Sequence, residues 1–196
     1  MKQNSVKSLM MVVASLVLMS DNAAAATDGT TGTTSSGSST LNVIIPPLAK
    51  ITGLADLDFG GNPSYTGSTA GDTDDETVCV YTNLDNSGGA TYSVNMQGSH
   101  SGAADAFALK HASLADTIAY QAQWDDNSSF SSVSNVGTVG GTATTITGQT
   151  GWSNTLNCGG SDNAGYRVNF TESELLNSKR HGTYTGTLTI TITPVP

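Results

Sequence analysis

The feature that most constrains the fold is a strictly alternating stretch over residues 182–196. Threonine occupies every second position, at Thr183, Thr185, Thr187, Thr189, Thr191 and Thr193, and the positions between carry Tyr184, Gly186, Leu188, Ile190 and Ile192. A period of two in β-branched residues predicts a long strand with one buried face. Because the sequence supplies no later strand after Pro194 and Pro196, we expect an exposed edge that accepts a strand from another chain.

The opposite end of the chain, residues 1–26, is typical of a secretory signal peptide. Lys2 and Lys7 precede an apolar run over residues 9–19, and small residues follow at 23–26. A membrane anchor is the alternative, but the run is shorter than the ~20 residues that span a bilayer. We therefore expect cleavage near Ala26 and a mature chain with no membrane span of its own.

The mature chain, residues 27–196, is acidic and rich in threonine, serine and glycine. Its basic residues are Lys50, Lys110, Arg167, Lys179 and Arg180, against fifteen acidic ones, so the formal net charge is −10. Without a basic patch, nucleic acid is excluded as a partner. Scarce helix-forming residues and abundant turn residues predict an all-β exported domain.

Two cysteines, Cys79 and Cys158, are both in the exported part. In an oxidising compartment such a pair favours a disulfide over a metal or redox site. We therefore predict that the two residues are bonded.

A low-complexity leader over residues 27–40 precedes a short apolar segment over residues 41–47. Thirteen of the fourteen leader residues are threonine, serine or glycine, a composition that predicts a flexible segment. Leu41, Val43 and Ile45 then alternate along an extended chain, and prolines at 46 and 47 end it. The segment is either the first strand of the domain's own sheet or a strand donated to a neighbour.

Residues 48–196 are predicted to form a β-sandwich of seven or eight short strands separated by turns. Apolar alternation favours strands over residues 78–81, 92–96, 107–109, 118–124, 142–147 and 166–170, a loop over residues 60–75, and a helical turn over residues 173–177. Trp124 lies on an alternating strand and is predicted to be in the core. Trp152 follows a glycine in a loop and is the better candidate for a surface role, such as stacking on a sugar.

The chemistry-bearing residues do not form a catalytic or metal-binding pattern. The acidic run of Asp72, Asp74, Asp75 and Glu76 lacks the spacing of a calcium loop and is interpreted as a solvated turn. His100, His111 and His181 lack ligand spacing and are interpreted as surface residues. No Gly-x-Ser-x-Gly sequence occurs. We predict no enzyme activity, no metal and no cofactor; a hydrolase with dispersed catalytic residues is the disfavoured alternative.

Three stretches resemble pilin subunits of the chaperone–usher pathway, in its alternate or archaic (spore-coat-protein-U-like) branches. They are TLNVIIPPLAKITGLADLDFG at residues 40–60, the central VCVYTN, TYSVNM and IAYQAQWDD, and the C-terminal HGTYTGTLTITITPVP. The chain departs from the type 1 pattern at Val195, where a tyrosine is typical, in its wider cysteine spacing and in its longer leader.

The resemblance implies an immunoglobulin-like sandwich that is incomplete until a donor strand fills it. Leu41, Val43 and Ile45 would form the donor strand, and the alternating C-terminal strand would border the acceptor groove. The implied partners are identical or related pilin subunits, a periplasmic chaperone and an outer-membrane usher. The implied role is a structural subunit of a surface fimbria that supports adhesion and is exported through the periplasm.

The alternative function is a self-contained secreted binding module, with carbohydrate as a candidate ligand. Such a module would have a complete sandwich and would stay monomeric without its leader. The two hypotheses therefore differ in whether the domain lacks a strand.

Overall fold

The computed structural model describes residues 26–60, 73–84, 89–99, 107–137, 139, 141, 143–176 and 179–196. The chain divides into two compact units, Met1–Ile45 and Pro46–Pro196. The predicted signal peptide lies outside the described residues except for Ala26, so its cleavage stays a prediction.

In the first unit, the leader forms a loop closed by a pair of backbone hydrogen bonds. The Thr27 N–H donates to the Ser38 carbonyl at 2.8 Å, and the Ser38 N–H donates to the Thr27 carbonyl at 2.9 Å. The apolar side chains that follow are exposed: Leu41 by 93%, Val43 by 79% and Ile45 by 69%. Three apolar side chains open to water are unfavourable in an isolated chain, which makes this segment a candidate for burial elsewhere.

In its described residues, the second unit consists of eleven strands and very little helix. The strands are β1 Ala49–Thr52, β2 Thr73–Thr82, β3 Thr91–Gly98, β4 Ala108–His111, β5 Thr117–Ala119, β6 Gln121–Asp125, β7 Ser134–Asn135, β8 Ile146–Gln149, β9 Ala164–Asn169, β10 Tyr184–Thr185 and β11 Leu188–Val195. One helical turn, α1 Glu172–Leu176, links β9 to β10. The predicted turn over residues 173–177 is thus present one residue earlier, and the Thr171 hydroxyl caps it by accepting the Glu174 N–H at 3.2 Å.

The strands form two layers, and all paired strands are antiparallel. The first layer is a five-stranded sheet in the order β1-β2-β9-β6-β7. The second contains the three-stranded sheets β10-β4-β5 and β11-β3-β8. Because β10 and β11 follow each other and pair with β4 and β3, these sheets are two parts of one interrupted layer. The predicted all-β, immunoglobulin-like sandwich class is confirmed.

The core lies between the layers and is built by period-two alternation. Tyr92, Val94 and Met96 of β3 and Val78 and Val80 of β2 are completely buried. An aliphatic side chain buried in this way stabilises a fold by about 1.5–3 kcal/mol. The position between β5 and β6 is Tyr120, where the chain passes from the second layer to the first.

The Trp124 side chain is also fully buried, as predicted, in a hydrogen-bonded pair with Tyr92. Its indole N–H donates to the Tyr92 hydroxyl at 3.3 Å, and the two rings meet edge to face. The Tyr92 hydroxyl donates in turn to the Gly151 carbonyl at 3.2 Å. Both polar atoms of the pair are therefore satisfied inside the core.

Several strand boundaries differ from the predictions. The acidic run was predicted as a solvated turn, which is wrong for its described part, because Asp74, Asp75 and Glu76 belong to β2. The Asp75 carboxylate bonds Arg167 of β9 at 2.6 Å, which gives an acidic residue a place in the sheet. The strand predicted over residues 142–147 is β8, which begins only at Ile146.

The alternating C-terminal stretch is also interrupted, between β10 and β11. At the break the Thr187 N–H donates to the Ser99 hydroxyl at 2.9 Å instead of to a strand partner. A side chain at Gly186 would meet the Leu109 Cδ2 atom at 2.9 Å, so only glycine fits without displacement. The apolar row of this strand is half-buried rather than buried, and Gly186 is exposed.

Cys79 and Cys158 form a disulfide, which confirms the predicted pairing. The bond joins β2 to a turn, Leu156–Gly160, in which Asn157, Cys158 and Gly159 all have positive φ. Left-handed backbone at Asn and Cys is unfavourable in isolation, so the bond and the neighbouring hydrogen bonds hold the turn in place. One of these joins the Asn163 side-chain amide to the Cys158 sulfur at 3.2 Å.

Replacing both cysteines by alanine is expected to destabilise the protein by about 4.5 kcal/mol, because a closed loop of this length strongly restricts the unfolded chain. The separation of the two residues is 79. Urea unfolding followed by the fluorescence of Trp124 and Trp152 measures the change. An unchanged free energy of unfolding would contradict this structural role.

Candidate functional site, an open apolar groove

The candidate site is an open groove of about 1160 Å³ in the second unit. One wall is formed by residues 54–60, which follow β1, and the other by residues 179–188 and Ile190. Between them lie apolar side chains from both layers and from α1: Leu109, Ile118, Tyr120, Tyr166, Val168, Phe170, Leu175 and Leu176. The groove is thus a gap between the edges of the two layers, with apolar side chains on its floor and polar and backbone atoms along its walls.

The wall on the C-terminal side contains four of the five residues predicted for an acceptor strand. Tyr184, Gly186, Leu188 and Ile190 line the groove, and the three with side chains are half-buried. Ile192 is also half-buried and packs on the core, but it lies outside the groove lining. Apolar side chains left half-exposed along a strand indicate a surface that gains from being covered.

The backbone edge beside this wall is open. Among the strands that the structure describes, β11 is at the edge of its sheet and pairs only with β3. Pro194 has no N–H, so within a strand its nitrogen must face an unpaired edge. Residues two apart point their backbone groups the same way, so we infer that Leu188, Ile190 and Ile192 direct N–H and C=O groups to the open edge.

The opposite wall is fixed by aromatic packing and one hydrogen bond. Gly53, with a φ of 87°, ends β1 and turns the chain. Phe59 meets Phe170 edge to face with ring centroids 4.8 Å apart. The Tyr166 hydroxyl donates to the Ala55 carbonyl at 2.7 Å. The wall is therefore anchored to β9, although Leu54 in the same segment remains 52% exposed.

The tyrosines on the groove floor report a poorly hydrated environment. Burial raises the pKa of Tyr120 to about 12. Burial also raises the pKa of Tyr166. Both phenols therefore stay neutral at physiological pH, which suits an apolar floor.

Two ion pairs lie at one end of the groove. Arg180 binds the Asp116 carboxylate through two hydrogen bonds of 2.6 and 2.7 Å, which lower the pKa of Asp116. Lys179 is 3.6 Å from Glu174 and donates to the Thr117 carbonyl at 2.5 Å. These contacts tie the segment after α1 to β5 and to the turn before it, so they position the groove wall.

The histidines differ from the sequence-based interpretation in one case. His111, predicted as a surface residue, is only 8% exposed. His181 is exposed, and His100 lies outside the described residues. Within the described part of the chain, no group of three or more His, Cys, Asp or Glu side chains could hold a metal ion.

Trp152 is not a free surface aromatic. Its ring is half-buried, and its indole N–H donates to the Ala90 carbonyl at 3.2 Å. The polar atom of the side chain is thus already used within the domain. In the described ranges, no helix has the length and apolar character needed to cross a membrane.

The sequence did not single out the groove floor or the wall of residues 54–60. The sequence pattern predicts ordinary core positions for the floor residues, because apolar residues alternate there as in any half-buried strand. These residues are Tyr120, Tyr166, Val168 and Phe170. The gap above them depends on which strands are neighbours in space. The sequence did contain one pattern that could have indicated this wall: apolar residues recur at Leu54, Leu57 and Phe59.

Replacing Gly186 by valine is expected to destabilise the domain by about 1–3 kcal/mol, because the new side chain overlaps Leu109. The matched control is Thr185→Val, the same β-branched side chain at the adjacent exposed position, the last residue of β10, expected to change stability by less than about 0.5 kcal/mol. Urea unfolding measures both variants. Equal losses in the two would show that the Gly186 position is not sterically closed.

Comparisons with known proteins add a distant structural likeness. No protein-family model matches the chain, and no curated protein matches it. A solved structure from work on a chaperone–tip adhesin complex in CFA/I fimbriae biogenesis is similar at 17% sequence identity and a TM-score of 0.46. The match covers 75% of this chain and 42% of that chain, so this chain spans less than half of its neighbour. A likeness of this extent does not assign a family or an activity.

Proposed function

We propose that this protein is a structural subunit of a surface fimbria that polymerises by donor-strand exchange and supports adhesion. The observation that carries the proposal is the open apolar groove beside the unpaired edge of β11. The apolar segment of another copy, centred on Leu41, Val43 and Ile45, is the proposed occupant. The resemblance of the chain's sequence to chaperone–usher pilins also supports the proposal.

The dimensions of donor and groove are compatible. An antiparallel strand rises about 3.4 Å per residue, so the open edge of β11, Leu188–Val195, extends for about 24 Å. Residues 38–45 extend for about 24 Å on the same basis, and the prolines at 46 and 47 set the limit of the donor. The groove volume of about 1160 Å³ exceeds the ~300–1,000 Å³ typical of a small-molecule pocket.

The chemistry of the two surfaces is also complementary. Leu41, Val43 and Ile45 share one face of an extended chain and would each gain about 1.5–3 kcal/mol on full burial in the groove. The backbone of the donor would bond the open edge of β11, as in other cases of strand addition. Main-chain bonds supply affinity, and the alternate side chains select the register.

Donor and acceptor on one chain generate a fibre. The donor segment and the groove are different surfaces, so the contact between copies is head-to-tail and need not close into a ring. Until a donor arrives, the groove exposes apolar surface that favours aggregation. A periplasmic chaperone and an outer-membrane usher are the partners that the pilin resemblance implies for this stage, and the predicted signal peptide and the disulfide fit that export route.

A rewired chain tests the proposal. Residues 27–45 are deleted, and a copy of residues 38–45 is appended after Pro196 through a Gly/Ser linker that lets it return along β11. Pro46 is kept because its carbonyl accepts the Asn83 side-chain amide at 2.8 Å. We expect a stable monomer by size-exclusion chromatography and a higher unfolding midpoint than for the same deletion without the appended copy.

Two matched substitutions in the appended copy control for nonspecific effects. Val43→Asp places a carboxylate on the face that enters the groove and should remove most of the increase in the unfolding midpoint. Asn42→Asp adds the same charge on the opposite face and should leave the increase in the unfolding midpoint largely intact. If the simple deletion is as stable and monomeric as the rewired chain, the sandwich is complete without a donor, and the binding-module hypothesis replaces this one.

A further inference from the structure

The basic side chains of this acidic protein are mostly paired within the domain, and Lys50 is an exception. Within the described residues, the ion pairs join Arg167 with Asp75, Lys179 with Glu174, and Arg180 with Asp116. Lys50 and Lys110 are exposed and belong to no ion pair there. The Lys50 Nζ atom donates to the side-chain oxygen of Asn157, a neutral amide, at 3.4 Å. No described carboxylate of the same copy therefore compensates the Lys50 charge at short range.

Lys50 lies five residues after Ile45, the last residue of the candidate donor, and its position is fixed by the domain. It belongs to β1, which pairs with β2. The chain just before it is held by Asn83. The Asn83 N–H donates to the Leu48 carbonyl at 3.2 Å, and its side-chain oxygen accepts the Leu48 N–H at 2.6 Å. The Leu48 side chain is 47% exposed. We name Leu48 and Lys50 the root patch.

The groove has a counterpart of opposite charge at the end that α1 borders. Asp58, on the wall that follows β1, is exposed and accepts the Gly60 N–H at 2.9 Å, and no described cation pairs with it. Leu176, the last residue of α1, also lines the groove and is 53% exposed. Because Phe59 packs on Phe170, just before α1, Asp58 lies at the same end of the groove as α1. We name Asp58 and Leu176 the mouth patch.

Strand exchange between copies would bring the two patches together, so this inference rests on the proposed function. An antiparallel donor that places Val43 beside Ile190 places Ile45 beside Leu188, at the start of β11. Lys50 lies five residues further along, about 17 Å for an extended chain. That length leads from the start of β11 back towards the segment that follows α1. The root patch of one copy would therefore arrive at the mouth patch of the next.

The charges of the two copies make a local attraction useful. Each mature chain carries a formal net charge of −10, so two copies repel each other. At physiological ionic strength this repulsion is screened over about 8 Å, so that nearby charges dominate the final approach. Residues 29–49, which include the donor, contain no charged side chain. The lysine that follows them is the first charge that an acceptor would meet behind the donor.

We propose that a second contact between copies, in which the root patch of one meets the mouth patch of the next, steers the donor strand into the groove. Lys50 pairs with Asp58, and Leu48 packs on Leu176. An exposed ion pair adds little to affinity, so its effect falls mainly on the association rate and on the orientation of the encounter. The two leucines cover each other's apolar surface beside the pair. The contact forms only in the head-to-tail arrangement, because the two patches are different surfaces.

The assembly rate of the full mature chain tests the proposal. Chains with the disulfide intact are diluted from urea, and light scattering follows assembly at neutral pH. The rate is compared in about 20 mM and about 500 mM sodium chloride, where the screening length is about 20 Å and about 4 Å. Lys50→Glu is expected to slow assembly about three- to tenfold in low salt and by less than about twofold in high salt. An equal slowing in both salts would contradict an electrostatic contact.

Asp58→Lys separates the specific contact from general repulsion, because the two predict opposite results. The substitution makes each copy less negative, so general repulsion alone predicts faster assembly. The proposed contact predicts assembly that is slower by about three- to tenfold in low salt. Asp162→Lys is the matched control: it makes the same charge change at an exposed position outside the groove lining and should not slow assembly.

The double variant Lys50→Glu with Asp58→Lys reverses both charges and keeps the net charge of the chain. It restores an attractive pair between copies, so its rate should return to within about twofold of the unmodified rate. The proposal is overturned if Asp58→Lys assembles as fast as the unmodified chain, or if the double variant is no faster than the two single variants.

Cross-linking of the unmodified chain covers the case in which a variant does not fold. A carbodiimide activates a carboxylate and joins it to a lysine amine in contact with it, without a spacer. Fibres are assembled from an equal mixture of nitrogen-14 and nitrogen-15 chains and then analysed by mass spectrometry. We expect peptides of mixed isotope that join Lys50 to Asp58. Joined peptides of one isotope only, or no joined pair, would contradict a contact between copies.

Val43→Asp in the full chain distinguishes failure of this inference from failure of the proposed function. It disrupts the donor and leaves both patches intact, so it should abolish assembly by strand exchange. Assembly that stops with Val43→Asp but is unaffected by Asp58→Lys supports strand exchange and overturns the second contact. Assembly that persists with Val43→Asp, or an unmodified chain that does not assemble, contradicts the proposed function and the second contact with it.

Discussion

The structure depends on one unmet requirement, the unpaired backbone edge of β11. A strand with hydrogen-bonding groups on both sides is most stable when both are paired, and β3 pairs only one of them. The side chains of the same strand are also incompletely buried, since Leu188 and Ile190 remain half-buried above the apolar floor of the groove. One additional apolar strand would meet both deficits, and such a strand is the occupant that the proposed function assigns to the groove.

Away from the unpaired edge of β11, the second unit is well packed. The buried pair of Tyr92 and Trp124 satisfies its own polar atoms, and the disulfide fixes β2 to the turn that contains Cys158. The floor of the groove belongs to the same core, since Tyr120, Tyr166 and Phe170 are buried with the side chains of β3.

Sequence patterns predicted those parts of the molecule that depend on local periodicity. Alternation located β3, β9 and the C-terminal strand, and cysteine count with export predicted the disulfide. The sequence patterns gave wrong predictions where contacts between residues far apart in sequence determine the local structure or burial. Asp75 lies in a strand because Arg167 is opposite, and His111 is buried because residues 181–184 cover it. The groove itself arises from the spatial neighbours of residues 54–60, which no local pattern encodes. The assignment of Leu41, Val43 and Ile45 as a donor stays a prediction.

The passage of the chain between layers at Tyr120 limits how the groove can change its width. β5 and β6 belong to different layers, and the Tyr120 N–H donates to the Phe107 carbonyl at 2.9 Å at the crossing. The two layers are therefore joined by continuous backbone at the groove floor and cannot slide apart there. The walls, residues 54–60 and 179–188, are held by the contacts of Phe59, Ala55 and Arg180. On the proposed function, an incoming chain would therefore meet a gap of fixed depth and would be selected mainly by how far its side chains reach.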